Sequence, residues 1–136
     1  MYFRQETDRV SAQADPVKLS YTLKVINLAG LIKDIITTYQ RHGWTLRQAL
    51  LSSSNIDLKT QIQDLFKEAT VKESDLDALW FARASTAKRE GWELRLIAEQ
   101  PYALFEAFAA DEPDEVREER RLEMENRLRD YTARRS

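Results

Sequence analysis

The chain has no cysteine. This absence removes disulfide bonds, thiol nucleophiles and thiolate metal sites, and it fits a reducing compartment. The single histidine, His42, does not supply the set of nitrogen ligands that zinc sites normally use. We therefore expect the protein to bind no metal and to carry no cofactor.

Glycine and proline are scarce, with three of each in 136 residues. Gly30, Gly43 and Gly91 are far apart in the sequence, so no glycine-rich loop is available to cradle a phosphate. The serines at positions 52–54 are not framed by the Gly-x-Ser-x-Gly pattern of a hydrolase elbow. These absences disfavour nucleotide-dependent enzymes and serine hydrolases, and the sequence identifies no catalytic residue.

Neither sign of charge is in excess, since 21 Lys and Arg face 23 Asp and Glu for a net charge of −2. Duplex-DNA binders usually show a basic excess, so nucleic acid is a disfavoured partner. A long hydrophobic run is also absent, because four polar residues interrupt the apolar segment 19–39: Lys24, Asn27, Lys33 and Asp34. With no membrane span and no signal pattern, we expect a cytoplasmic protein.

What the sequence does contain is enough apolar residues for the core of one domain, at 43% of the chain. Residues 1–14 lack periodicity and are interpreted as a flexible arm. A helix begins at Asp15 and Pro16 and ends at His42 and Gly43, where glycine suits a left-handed cap. We divide the rest into an α+β core at 15–111 and a charged C-terminal helix at 112–136.

Residues 44–52 fit two interpretations. Thr45 and Gln48 have the spacing of a capping box, which favours a helix. Trp44, Leu46 and Leu50 fall on one face of an extended chain, which favours a strand. We prefer the strand and leave the helix open.

The middle of the chain predicts one helix and one hairpin. Apolar residues at helical spacing indicate a helix from Leu58 to Ala69, followed by a connection at 71–75. Residues 76–84 are apolar on both faces and predict a central strand with Trp80 in the core. Residues 92–99 alternate and predict the antiparallel partner strand.

Pro101 is expected to open a further helix that contains Leu104, Phe105 and Phe108. Asp114 can cap a last helix that reaches roughly to Thr132. The predicted order is therefore α-β-α-β-β-α-α. The fold class is α+β, with a small antiparallel sheet of about three strands packed by helices.

One possible interaction surface lies on the last helix, where an apolar seam packs either on the core or on a partner. The hairpin adds two arginines beside its tryptophans, as stacking sites for single-stranded nucleic acid often do. The candidate residues are Val116, Met124, Leu128, Tyr131, Arg83 and Arg95.

Three functions remain open from the sequence. The leading hypothesis is a non-catalytic protein–protein interaction or assembly module, with a protein partner or a homodimer. The first alternative is single-stranded nucleic-acid binding through the hairpin Trp80–Glu99. The second is a small enzyme or ligand-binding domain that uses the carboxylates of Asp75 and Asp77.

Overall fold

The computed structural model describes residues 16–61, 63–66, 68–85 and 88–135, so the arm predicted at 1–14 and the cap at Asp15 lie outside the described residues. The described chain is an α+β fold built from eight elements, which are helix α1 (Pro16–Arg41), strand β1 (Thr45–Leu51), helix α2 (Leu58–Gln61), strand β2 (Thr70–Glu73), strand β3 (Ala78–Ser85), strand β4 (Arg89–Leu96), strand β5 (Ala103–Ala109) and helix α3 (Asp114–Arg135).

The five strands form one sheet in the order β2-β1-β3-β4-β5. β2 runs parallel to β1, whereas the other neighbouring pairs are antiparallel. The predicted α+β class, the strand at 44–52 and the central hairpin are thus confirmed. The second strand of the hairpin spans Arg89–Leu96, three residues earlier than the predicted 92–99. The sheet is larger than the predicted three strands, and it is mixed rather than antiparallel.

The two additional strands, β2 and β5, lie where the sequence pattern predicts a connection and a helix. The helix predicted from Pro101 is wrong, because residues 103–109 pair with β4 along the whole of β5. The predicted connection at 71–75 contains β2, in which Val71 pairs with Ala49 of β1. The helix predicted from Leu58 to Ala69 is shorter than expected, since α2 ends at Gln61 and residues 63–66 form turns.

The C-terminus of α1 is a Schellman motif. The N–H of Trp44 donates to the carbonyl of Tyr39, and the N–H of Gly43 donates to the carbonyl of Gln40, each over 3.0 Å. Gly43 has a φ of +88°, the left-handed conformation that this motif needs. The rings of Tyr39 and Trp44 then meet edge to face at 6.0 Å. The end of the helix thereby places Trp44 beside the sheet.

A β-bulge changes the faces of β1. Leu46 pairs with Phe81 while Gln48 pairs with Trp80, so one extra residue is accommodated between them. The expectation that Leu46 and Leu50 share a face is therefore wrong. Leu46 packs in the cluster beneath α1, and Leu50 packs in the cluster beneath α3.

The sheet has apolar residues on both faces, and a helix covers each face. On the side that we call the α1 face, Ile36 and Tyr39 of α1 pack with Leu79 and Phe81, and the rings of Tyr39 and Phe81 stack at 4.1 Å. On the opposite α3 face, the buried cluster joins α3 to three strands and contains Leu50, Leu76, Ala78, Trp80, Leu94, Met124 and Leu128. The molecule is therefore a three-layer α–β–α arrangement.

Candidate interaction site at the fifth strand

β5 is the outermost strand on its side of the described sheet, and its backbone polarity follows from its pairing. The N–H of Leu96 donates to the carbonyl of Tyr102 over 2.9 Å, and the N–H of Ala110 donates to the carbonyl of Lys88 over 2.8 Å. In an antiparallel ladder, residue pairs that exchange hydrogen bonds alternate with pairs that do not. Between these two bonds, even-numbered residues of β5 therefore direct their backbone groups toward β4.

The odd-numbered residues of β5 direct their N–H and C=O groups away from β4, toward the open edge. Their side chains also share one face of the sheet, because side chains alternate with the same period of two. All four are apolar, namely Ala103, Phe105, Ala107 and Ala109. The carbonyl of Ala109 accepts a hydrogen bond from the N–H of Glu112 over 3.0 Å. From Ala103 to Ala107, the edge of β5 is thus a row of backbone donors and acceptors with no charged side chain beside it.

The devices that usually protect an edge strand are absent from β5. The strand has seven residues, its register with β4 is unbroken, and it contains neither proline nor lysine. Its one charged residue, Glu106, faces α3, where Arg120 lies 3.4 Å from its carboxylate. β2 at the opposite edge has only four residues, and these include Lys72 and Glu73. The edge at β2 is therefore better protected against pairing with a further strand than the edge at β5.

Phe105 projects from the α1 face of β5 and is 55% exposed. Its ring meets that of Trp44 edge to face, with the ring centroids 6.3 Å apart. Gly91 on β4 makes room for the ring, since a Cβ atom there would lie 2.9 Å from Cε1 of Phe105. The aromatic ring therefore packs close to the backbone at Gly91 and leaves a large part of its surface exposed.

An arginine borders this aromatic pair. The guanidinium of Arg83 lies 4.5 Å from the centroid of the Trp44 ring, within the range of a cation–π contact. The same guanidinium donates to the carbonyl of His42 over 3.0 Å, which ties it to the end of α1. We call Arg83, Trp44 and Phe105 the aromatic patch.

The arginines of α3 hold that helix against the β4–β5 side of the sheet. Arg117 lies 3.1 Å from Glu90, and Arg120 lies close to both Glu106 and Glu112. These pairs are partly exposed, so each contributes modestly to stability, and together they hold the helix in place against the sheet. The α3 face of β5 is therefore occupied, and among the described residues nothing pairs with its backbone edge or fully covers its α1 face.

The structure places the predicted interaction residues of α3 against the sheet of the same chain. Met124 and Leu128 are 1% and 0% exposed, and Tyr131 stacks on Tyr102 with the ring centroids 3.5 Å apart. Val116, near the start of the helix, is half-buried. Their apolar seam is thus filled by the parent domain.

The two predicted arginines of the hairpin have different surroundings. Arg83 is exposed and belongs to the aromatic patch. Arg95 is 6% exposed and donates hydrogen bonds to the carbonyls of Leu96 and Ala98. The structure therefore does not bring Arg83 and Arg95 together as one basic surface.

Phe105 and the edge of β5 are the features that sequence reasoning missed. The signal was present in the run 103–109, which has a single charge and an alanine or phenylalanine at every odd position. Leu104, Phe105 and Phe108 also fit the three- and four-residue spacing of a helix, so the local pattern favours a helix over a strand.

The carboxylates proposed for chemistry have protein partners. Asp77 accepts a hydrogen bond from the N–H of Ser52 over 2.8 Å. Asp75 accepts one from Nε of Arg129 over 2.8 Å, and this bond holds the pKa of Asp75 below its ordinary value of 3.8. Nδ1 of His42 lies 2.9 Å from the carbonyl of Thr38 within the last turn of α1. Each of these groups thus has a hydrogen-bonding partner within the folded chain.

The described residues hold neither a cluster of metal ligands nor a membrane-spanning helix. They contain no group of three or more His, Cys, Asp or Glu placed to hold a metal ion. Across this same part of the chain, no helix combines the length and apolar character needed to cross a bilayer. Comparisons with protein-family models, with curated proteins and with solved structures find no significant match to this chain.

Proposed function

We propose that this protein is a non-catalytic interaction module that binds a protein partner by strand addition at the edge of β5. The observation that carries the proposal is the row of outward backbone groups at Ala103, Phe105 and Ala107, which no charge or proline protects. An added strand gains main-chain hydrogen bonds along such an edge, and side-chain pockets supply the specificity.

The aromatic patch supports the same proposal. Phe105 stands beside the free edge, so an added strand would cover the exposed part of its ring. Large aromatic side chains and arginine are the residue types enriched at binding hot spots. Arg83 and Trp44 lie next to Phe105 and can extend the contact beyond the backbone pairing.

The experiment compares two lysine substitutions in the full-length chain, Phe105→Lys and Leu122→Lys. These residues are the two exposed large hydrophobics in the described part of the chain, at 55% and 49% exposure, but Leu122 lies on α3, away from the edge. Each tagged variant is passed through size-exclusion chromatography in an extract of the cells that express the protein. A lysine at position 105 must lose water when a strand is added, so it disfavours pairing.

We expect the wild-type chain and Leu122→Lys to elute well above the monomer mass of 15.9 kDa, and Phe105→Lys to elute as a monomer. Circular dichroism should show that all three chains are folded. Wild-type protein that elutes as a monomer in the extract contradicts the proposal. So does a complex that is equally sensitive to both substitutions.

A second candidate is single-stranded nucleic-acid binding, and the contact between Arg83 and Trp44 beside an exposed phenylalanine favours it. Trp80 is 1% exposed and is not available for stacking on a base. The net charge of −2 also weakens this candidate. Titration with single-stranded DNA and RNA at physiological salt should give no affinity tighter than micromolar. Nanomolar binding that is lost in Trp44→Ala and weakens steeply with salt favours nucleic acid instead.

A further inference from the structure

We infer that the strand added to β5 is β5 of a second copy of this chain, paired antiparallel around a two-fold axis at Phe105. This inference rests on the proposed function, because it names the partner for the same edge. Two-fold dimers are the commonest protein assemblies, and they require a surface that is complementary to itself. The free edge of β5 meets that requirement in its backbone, its side chains and its charge.

The backbone condition restricts the register. Only odd-numbered residues of β5 direct their hydrogen-bonding groups outward, so odd residues of one copy must pair with odd residues of the other. When Phe105 faces Phe105 of the partner copy, the two residues exchange hydrogen bonds. Ala103 and Ala107 then exchange hydrogen bonds with Ala107 and Ala103 of the partner copy.

The side chains select this register over its neighbours. A shift that centres the axis on Glu106 sets two carboxylates directly opposite each other, which is destabilising in a sheet. A shift that centres the axis on Ala107, or on Leu104 in the other direction, leaves each Phe105 ring opposite an alanine. With the axis at Phe105, the two rings meet across the strands on the α1 face, between pairs of alanines that are small enough to let them approach.

Charge does not oppose the pairing. Every residue that would meet the copy on the α1 face of β5 is apolar, so the two copies bring no like charges together there. Glu106, on the α3 face, stands opposite Leu104 of the partner copy and already has Arg120 at 3.4 Å. A second copy has outward backbone groups and apolar side chains at the same positions, so it meets these conditions without a separate partner sequence.

The experiment uses the purified full-length chain and the variant Ala107→Pro. Because the N–H of Ala107 points away from β4, proline at this position removes no hydrogen bond within the monomer, but it removes two from the dimer, one for each copy. Light scattering over a concentration series should give twice the monomer mass for the wild type. The substitution should raise the dimer dissociation constant by at least about tenfold.

Residue-resolved amide exchange tests the register. The amides of Leu104, Glu106 and Phe108 should be protected at every concentration, because they bond to β4. Protection of Phe105, Ala103 and Ala107 should appear only at concentrations at which the dimer forms. Phe105→Lys serves as a second variant with the same expected loss of dimer if Ala107→Pro fails to fold.

Each other outcome overturns the inference in a distinguishable way. A purified chain that stays monomeric, while Phe105→Lys still abolishes the complex in the extract, indicates a foreign partner and leaves the proposed function standing. A monomer in which the odd amides are protected indicates that another segment of the same chain covers the edge, which overturns both. A dimer that survives both substitutions uses a different surface.

Discussion

Trp80 connects the sheet to helix α3 through the packing of its ring and through the hydrogen bond of its indole N–H. It is 1% exposed, and Nε1 donates to Oε2 of the buried Glu125 over 2.9 Å. We predict that Trp80→Ala lowers the free energy of unfolding by about 3–5 kcal/mol, as truncation of a buried large aromatic normally does. Urea denaturation of the purified chain measures this loss.

Trp80→Phe separates ring packing from the hydrogen bond. It keeps an aromatic ring but removes the donor to Glu125, which remains 8% exposed and 4.0 Å from Arg129. We expect a cost of about 1–3 kcal/mol, the usual penalty for a buried polar group that loses its partner. A Trp80→Ala variant with unchanged stability would contradict the core role of Trp80.

Asp75 gives the molecule one defined pH dependence. The hydrogen bond from Arg129 lowers the pKa of Asp75 in the folded chain, so the ionised carboxylate favours folding. The difference in unfolding free energy between the wild type and Asp75→Asn should be constant near neutral pH. It should disappear as the pH falls below 3.8 and through the lowered pKa of the folded state.

Carbon-detected NMR titration of the Asp75 carboxyl group checks the cause of this pH dependence directly. Its midpoint in the wild type should lie below 3.8, and in Arg129→Gln it should rise toward that value. A wild-type midpoint at or above 3.8 contradicts the assignment. Because Asp75 is 68% exposed at its side chain, the effect should also weaken in high salt.

At the scale of single residues, the sequence predicted burial correctly where neighbouring residues along the chain are buried too. Trp80 lies between Leu79 and Phe81, and the apolar character of all three indicated a buried strand. Phe105 is expected on a helix from the sequence, whereas the structure places it on strand β5. Its exposure depends on Gly91 and Trp44, which are distant in sequence and are brought together only by the sheet.

Among the elements, β5 offers the sharpest test, because neighbouring residues should respond oppositely to proline. The N–H of Glu106 points toward β4, so Glu106→Pro breaks a ladder hydrogen bond and should cost about 1–3 kcal/mol or more. The N–H of Ala107 points outward, so Ala107→Pro should change the stability of the monomer far less. Urea denaturation at low protein concentration compares the two variants.

Equal destabilisation by the two prolines would contradict the assigned alternation of β5. A larger effect at Ala107 than at Glu106 would show that the strand is turned the other way. Either result would also remove the basis for strand addition at this edge, because the outward groups would then belong to different residues.

The elements that the sequence predicted are those with strong local signals. The helix ending at Gly43, the hairpin and the C-terminal helix each have caps, turns or clear periodicity nearby. β2 and β5 have weaker signals, and their strand conformation depends on pairing with β1 and β4. Tertiary pairing of this kind overrides local propensity, and one sequence alone does not reveal it.

For the molecule as a whole, α3 is the third layer, and two of its leucines test that role. Leu128 is fully buried against the sheet, and Leu122 is 49% exposed. Leu128→Ala should lower the free energy of unfolding by about 2–5 kcal/mol. Leu122→Ala, the same change on the same helix, should stay within about 0.5 kcal/mol of the wild type.

Denaturation is best combined here with light scattering, because the sequence left open whether the seam of α3 served the parent domain or a partner. If the Leu128→Ala variant has a lower mass in solution than the wild type but the same monomer stability, the seam serves a partner. The reverse result assigns it to the parent sheet.

The unequal edges of the sheet also set a limit on growth. Two copies joined through β5 would leave β2 at both outer rims of the combined sheet. Each rim is four residues long and contains Lys72 and Glu73, so neither is a good template for a further strand. Assembly would then stop at a closed particle of fixed stoichiometry and would not continue as a filament, even at high concentration.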